Sequence, residues 1–535
     1  LPGKHTDPMR SERLTTVIKF IKKGEKIMKR SLSLILALAM TLTLLAGCGN
    51  KAKNNDPGSS GEKEMLTIAV NEDISGLDPF AQNTSLQNTY TILMYDSLLA
   101  LDPATGEIVP GLAESYDIVS ATEYVFHLRS GVKFHNGEDL KASDVKFSLE
   151  RAAASTGMAS KVSQIDRIEV EDDSTVRIFL NVPSTTILNN LAFCGTSIMC
   201  EEWCNANQGS FKHNGTGPYV FREWNSGESI IFDRNDNYWG DKGAMKTLKF
   251  VVMNEANSRT IALETGEIDV NAFPAAIDLA RFESDANINV YSVPSTQVHF
   301  LSLNYKMEPT SNVNVRKAIA CAINKQDMIS VTQEGRATPM TTILGAGQQY
   351  SDTSIPGYDY DLEKAKEYLA AAGYPNGFDL TISCRTGGVK NAEVIQSQLG
   401  LIGINVKIDQ MENAAFVDLA MSEKMQAACA SWQPATSDAD NPLRNLLYSK
   451  SKASSNESRY NNPAFDAVLD EALQETDPEK AQELYSKAQM FLYDDAPIIP
   501  LYSPNWTIAA NAHVKNVVIP VVGDAMFYKN MQWEA

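Results

Sequence analysis

Residues 109–151 read VPGLAESYDIVSATEYVFHLRSGVKFHNGEDLKASDVKFSLER. Tyr124, Phe126 and Leu128 alternate with Val125, His127 and Arg129, and this period of two predicts a strand with one buried face. Ser130-Gly131 breaks the run, Val132 and Phe134 resume it, and Asn136-Gly137 predicts a tight turn because both residues tolerate positive φ. A helix is expected next. Its predicted start is Ser143, a capping residue, with Asp144 in the first turn and Val145, Leu149 and Ala152 on one face. His127 and His135 are read as packing or surface residues of this sheet and helix, not as metal ligands.

The segments GLAESY and FHLRSGVKFHNGEDLKASDVKFSLER resemble the signature region of bacterial extracellular solute-binding proteins of family 5, which serve peptide and nickel ABC transporters. Further landmarks occur in the same order. GTGPY at 215–219, with Asp233-Arg234-Asn235 and Tyr238-Trp239-Gly240, resembles a second landmark and is expected to form a tight turn and a sheet hairpin. VNVRKAIACAINK at 313–325 resembles a third. The resemblance covers nearly all of residues 65–535. It implies an α/β, bilobed periplasmic-binding-protein-like fold of type II, in its large variant with an extra subdomain in lobe one. The implied division is 65–95, 205–295 and 500–535 for the lobe I core, 96–204 for the extra subdomain and 296–499 for lobe II.

The residues themselves agree with an α/β domain. Segments 65–70, 175–180, 249–253 and 378–382 read as strands, and 86–101, 256–264, 361–372 and 465–473 as helices. Gly215-Thr216-Gly217 invites a phosphate-loop reading. That reading fails because Tyr219, Phe221 and Trp224 continue as a strand instead of a helix whose amino terminus faces an anion.

A formal charge of -19 excludes a nucleic-acid surface, which needs clustered Lys and Arg. The basic residues are concentrated at the amino terminus. Residues 1–47 hold nine Lys or Arg and three Asp or Glu, a net +6, so the chain from Cys48 onward carries -25. Met28-Lys29-Arg30 followed by an uncharged run to Ala46 reads as a secretion signal, residues 28–47, with 1–27 as an upstream extension. Leu45-Ala46-Gly47-Cys48 resembles a lipobox, which implies a diacylglyceryl anchor on Cys48. The rival reading is a retained membrane helix, which the glycines, Asn50 and hydroxyl residues weaken. After Cys48, residues up to 64 are polar and rich in Gly, Ser and Pro, as a flexible tether is.

Six further cysteines follow, of which Cys200 and Cys204 share a helical spacing that a metal or redox pair would also use. His213 lacks a matching spacing, and no cofactor motif is present in the sequence. No G-x-S-x-G or H-E-x-x-H stands in the chain, so an extracellular hydrolase is the least favoured function.

A ligand site is expected on loops between the lobes, with hinge closure over it. SWQPATSDADNP at 431–442 sets an aromatic face beside carboxylates, which suits an amine. By resemblance to peptide-binding relatives, Trp432 with Asp438 or Asp440 holds a ligand amino group. The family's common Trp-x-x-Asp spacing is absent, however, and position 435 is Ala, a form closer to glutathione-binding members. Arg385 and the Gly387-Gly388 backbone, at the end of a strand, are the candidates for a ligand carboxylate, with Arg444 as an alternate. Asn304 joins them from the hinge-crossing region that the resemblance identifies.

The expected function is therefore a monomeric receptor, lipid-anchored on the extracellular face of the cytoplasmic membrane, that delivers short peptides to the permease subunits of an ABC importer. Nickel chelate, haem, opine and oligosaccharide remain alternative ligands on the same scaffold; six histidines in the chain disfavour bare nickel. Mass spectrometry of the natural product should find no peptide upstream of Met28; any such peptide removes the proposed start.

Overall fold

The computed structural model describes residues 63–81, 84–207, 213–345, 347–520 and 525–534. Met28, the uncharged run, Cys48 and the tether as far as residue 62 lie outside them. No helix among the described residues is long and apolar enough to cross a membrane.

Strand Ile498–Asn511 joins two halves of one large mixed sheet. Its first seven residues, Ile498 to Pro504, are buried without interruption, as expected of a strand covered on both faces, and Ile508, Ala509 and Ala510 are buried again further on. Residues 505–511 pair antiparallel with Ile288–Pro294, and residues 498–502 pair antiparallel with Val298–Leu303. The chain therefore crosses between lobes at 295–297 and again at 503–504. The two crossings are bonded to each other, with Ser295 Oγ donating to the Pro504 carbonyl (2.6 Å) and Ser503 Oγ to the Ser295 carbonyl (2.7 Å).

On the lobe I side, Met65–Val70 lies parallel between Thr247–Val252 and Val270–Asn271, and helix Ala256–Thr265 makes the crossover. Gly266 ends that helix with φ 75°, in the left-handed region. On the lobe II side, Asp379–Arg385 runs parallel to Asn405–Met411 and Ala427–Trp432, with Val389–Gly400 as the crossover helix. Helix Leu362–Ala371 starts at the N-cap Asp361, whose carboxylate accepts the Lys364 N–H. Pro463–Gln474 and Pro478–Asp495 each begin with an Asx cap followed by Pro, the arrangement that pre-sets φ for the first helical turn.

The opening stretch builds an appended four-stranded antiparallel sheet, in the order Ala113–Ser120, Glu123–Leu128, Thr175–Leu180, Ile165–Asp172. Phe126, Val176 and Ile178 are fully buried on its inner face beneath helix Ala142–Ala154. The Asn136-Gly137 turn forms as expected, with Gly137 at φ 92°. The helix begins earlier than the sequence predicts. Its N-cap is Lys141, and Asp144 sits at the third helical position, where its carboxylate accepts the N–H groups of Lys141 (2.9 Å) and Glu201 (2.8 Å). His127 pairs with Asp117 at the surface, and half-buried His135 meets the Gly217 carbonyl.

Two other expectations are corrected. The helix expected over 86–101 spans only Ser85–Met94, and Leu99–Leu101 becomes a strand paired with Ile108–Pro110. The cause is Asp96, which receives hydrogen bonds from Thr216 Oγ1, Tyr238 Oη and Trp239 Nε1 and draws the chain out of the helix. The glycines of GTGPY serve close approach more than turning. A Cβ on Gly217 would lie 2.4 Å from the Met94 carbonyl carbon, and one on Gly215 would lie 2.1 Å from the Met94 oxygen. Gly217→Ala should therefore lower stability by about 1–3 kcal/mol, read as a lower urea midpoint at unchanged slope. Gly387→Ala, where nothing stands within 4 Å, is the matched control.

Candidate functional site

Strand Ala427–Trp432 lies between Val298–Leu303 and Asp379–Arg385, so the sheet delivers Trp432 to the end of a central strand. The chain then leaves the sheet for seven residues before helix Asp440–Leu447. This loop is bonded to both lobes. Gln433 Nε2 donates to Thr296 Oγ1 (3.0 Å), and Ser437 Oγ donates to Asn189 Oδ1 (2.8 Å) on helix Ile187–Ala192 of the appended subdomain. Asn189 Nδ2 reaches Gln349 Oε1 (3.1 Å), and the Gln349 N–H returns to the Ser437 carbonyl (2.7 Å). Ala435 is buried within the core cluster of lobe I. A carboxylate here would be driven into apolar surroundings, which accounts for the departure from Trp-x-x-Asp.

Beside the loop opens a cavity of about 1280 Å³. Its walls come from residues 156–164, 186 and 190 of the appended subdomain and from residues 385, 431–441 and 444–455 of lobe II. A second cavity of about 470 Å³ lies against Phe273, His299 and Trp506, and shares Glu72, Ser85 and Gln433 with the first. Burial pushes the imidazole pKa of His299 down to about 4, so this side chain is neutral at physiological pH.

Trp432, Asp438, Asp440 and Arg385 all line the larger cavity. The two aspartates have different environments. Asp440 is held by Arg444 in a two-pronged pair, with Nε to Oδ2 at 2.8 Å and Nη2 to Oδ1 at 2.9 Å. Arg444 also donates to Asp470 Oδ1 (2.9 Å) and the Leu469 carbonyl (2.9 Å). Burial works against the guanidinium charge, but the two carboxylates outweigh it and raise its pKa. Arg444 is thus committed within lobe II. Asp438, at 3% exposure, accepts the Asn441 N–H on Oδ1 (2.9 Å), while its Oδ2 has no partner among the described residues. Trp432 Nε1, Thr436 Oγ1 and Asn441 Oδ1 are likewise buried and have no hydrogen-bond partner among the described residues. Each such group costs about 1–3 kcal/mol unless something meets it. Four such groups fall within ten residues, which makes this loop the candidate for meeting a ligand.

The other anticipated residues stand differently. Arg385 is on the wall, with its guanidinium stacked 3.9 Å from the Phe416 ring centroid and Nε bonded to Asn413 Oδ1 (2.7 Å). Behind it Glu457 is buried, and burial raises its carboxyl pKa to about 7 against the pull of Arg385 and Arg459. Thr386–Gly388 winds into a 3-10 turn leading to the helix, and Gly388 does not line the cavity. Asn304 is buried inside lobe II. Its Nδ2 donates to the Met425 carbonyl (2.6 Å) and its Oδ1 accepts the Lys306 N–H (2.9 Å), so the structure does not bring it to the cavity. Asn189, Gln349 and Thr296, which bond to the loop or tie it to neighbouring segments, carry no motif that sequence reading could isolate.

None of the six cysteines from Cys194 onward is in a disulfide, and Cys200 caps helix Glu201–Ala206 while its thiol donates to Glu138 Oε2 (2.7 Å). Among the described residues no group of three or more His, Cys, Asp or Glu side chains is placed to hold a metal ion.

Comparison with known proteins gives a consistent assignment. The heme-binding protein A of Haemophilus influenzae is 29% identical, over 92% of this chain and 98% of its own. The glutathione-binding protein GsiB of Pectobacterium atrosepticum is 33% identical over 81% of this chain and 87% of its own. In structure, the periplasmic binding protein DppA of Helicobacter pylori in complex with the peptide STSA superposes with a TM-score of 0.79 at 32% identity, covering 88% of this chain and 98% of that one. The family model for bacterial extracellular solute-binding proteins, family 5 (middle), matches residues 107–454. The bilobed α/β architecture, the ordered landmarks and these matches together place the chain in the bacterial extracellular solute-binding proteins of family 5.

Proposed function

We propose that this chain is the substrate-binding component of an ABC importer, capturing short peptides in the interlobe cavity and delivering them to a membrane permease without chemical change. The observation that carries the reading is Asp438, a buried carboxylate with one unpartnered oxygen beside the unpaired indole N–H of Trp432, on a loop bonded to both lobes. A peptide's terminal ammonium supplies the charge and the donors that this oxygen lacks, and the indole face adds contact area. Asp440 keeps the loop in place through Arg444. Arg385 lines the same cavity and donates to a ligand carboxylate there. The protein works as a monomer tethered outside the cell through lipidated Cys48. Support for an exported location comes from the family and from the secretion-type run before Cys48.

The name of the Haemophilus influenzae relative favours haem as a second ligand reading. Native mass spectrometry of protein purified without unfolding decides between them: a co-purified peptide is expected, and a co-purified porphyrin would replace the peptide reading. Incubation with a peptide mixture should give stoichiometric retention and no cleavage.

Asp438→Asn should weaken peptide binding by about 2–5 kcal/mol in calorimetry while leaving the urea midpoint near that of the parent. Unchanged affinity would take Asp438 out of the site. Asp440→Asn should instead cost stability, about 1–3 kcal/mol, because it leaves the Arg444 guanidinium short of its carboxylate.

A further inference from the structure

The buried groups on Trp432, Thr436, Asp438 and Asn441 that lack a hydrogen-bond partner among the described residues all line the larger cavity, and none of these residues lines the smaller one. The smaller cavity, of about 470 Å³, has a different character. Leu86, Leu279, Met526 and Tyr528 are buried in its wall, while the rings of Phe273 and Trp506 are less covered, Phe273 being 36% exposed. Polar residues of this wall bond within the protein. Arg336 holds Glu283 in a two-pronged pair (2.8 and 2.7 Å), Gln333 Nε2 donates to Tyr502 Oη (3.1 Å), and Asn505 Nδ2 donates to Ser292 Oγ (3.1 Å). Thr89 Oγ1 accepts the Met526 N–H (3.0 Å), and the neutral His299 ring is stacked on Tyr502. The remaining charge is Glu72, which is exposed, in the wall that the two cavities share.

Resting on the peptide reading above, we infer that the smaller cavity is a side-chain chamber of the same site, and that the preferred ligands are short peptides carrying one large apolar side chain within their first three residues, seated against Phe273 and Trp506. Continuity carries the argument. Glu72, Ser85 and Gln433 belong to both cavities, so the chamber adjoins the space into which Asp438 draws the amino end. Room is sufficient, because a dry cavity of about 150 Å³ already holds a benzene ring. Successive side chains of an extended peptide point to opposite sides, so a single position is placed to fill the chamber. An apolar side chain gains there by leaving water against Leu86, Phe273, Leu279 and Trp506. A charged one would lose its water without a buried partner, since Arg336 is engaged with Glu283 and Glu72 stays in solvent.

The test is calorimetric titration of the purified protein, freed of carried ligand by dialysis, with Ala-Ala-Ala, Phe-Ala-Ala, Ala-Phe-Ala and Ala-Ala-Phe. One of the three phenylalanine peptides should bind about ten- to a hundredfold more tightly than Ala-Ala-Ala, with a more negative heat-capacity change. That gain should be the same between about 0.01 and 0.15 M salt, because it involves no charge. In Phe273→Ser the ratio of the two affinities should fall at least threefold, with the urea midpoint near that of the parent because this side chain is partly in solvent. Equal affinities for all four peptides, a ratio unmoved in Phe273→Ser, or a larger gain from lysine than from phenylalanine at the same position would overturn the apolar chamber and leave peptide capture standing. Binding of none of the peptides would remove peptide capture itself, and the chamber with it.

Discussion

One hydrogen-bonded ribbon holds the molecule's two halves in register. Strand Ile498–Asn511 has to satisfy its backbone groups against Ile288–Pro294 along one half and Val298–Leu303 along the other, so neither lobe's sheet is complete without it. The register shift between His299 and Phe300 and the prolines at 500 and 504 interrupt the ladder near the crossings. At 295–297 and 503–504 two serine hydroxyls add to the backbone bond from the Ser295 N–H to the Pro504 carbonyl. Arg336 and Glu283 add a two-pronged ion pair beside this ribbon.

Local periodicity carried most of the architecture, because a half-buried strand or helix leaves its imprint on adjacent residues. Tyr124, Phe126 and Leu128 announced a strand without any knowledge of their partners. The failures share one cause, which is a partner distant in sequence. Asp96 ends a helix because Thr216, Tyr238 and Trp239 reach it from more than a hundred residues away. Asp144 displaces Ser143 as the organising residue of its helix because the Glu201 N–H also needs an acceptor. Gly217 looked like a turn residue, and only the proximity of Met94 reveals it as a close-approach residue.

The same distinction applies to the site. An aromatic next to two carboxylates on a loop was visible in the sequence, and the cavity wall does contain Trp432, Asp438 and Asp440. Which carboxylate is spent on Arg444 was not visible, although the four-residue spacing of Asp440 and Arg444 on one helix is a pairing signal. Asn304 entered through position in a family pattern and Gly388 as part of a strand-end backbone nest, and their side-chain or backbone groups serve the interior and a turn. Hydrogen bonds that cross between lobes, such as Ser437 to Asn189, have no trace in either local segment.

Ala435 gives the loop a further property. Its methyl group belongs to the lobe I core although its backbone belongs to lobe II, so separating the lobes would uncover apolar surface and strip the loop of its bonds to Asn189. Any solute that stabilises the loop therefore draws on the same free energy that docks the lobes. The two equilibria are linked, and each can shift the other only by the differential affinity of the solute for the docked arrangement. A solute that fills the cavity yet leaves Asp438 unmet would be bound but would not drive docking. Capture and docking would then be two separate selections, and the loop would take part in both.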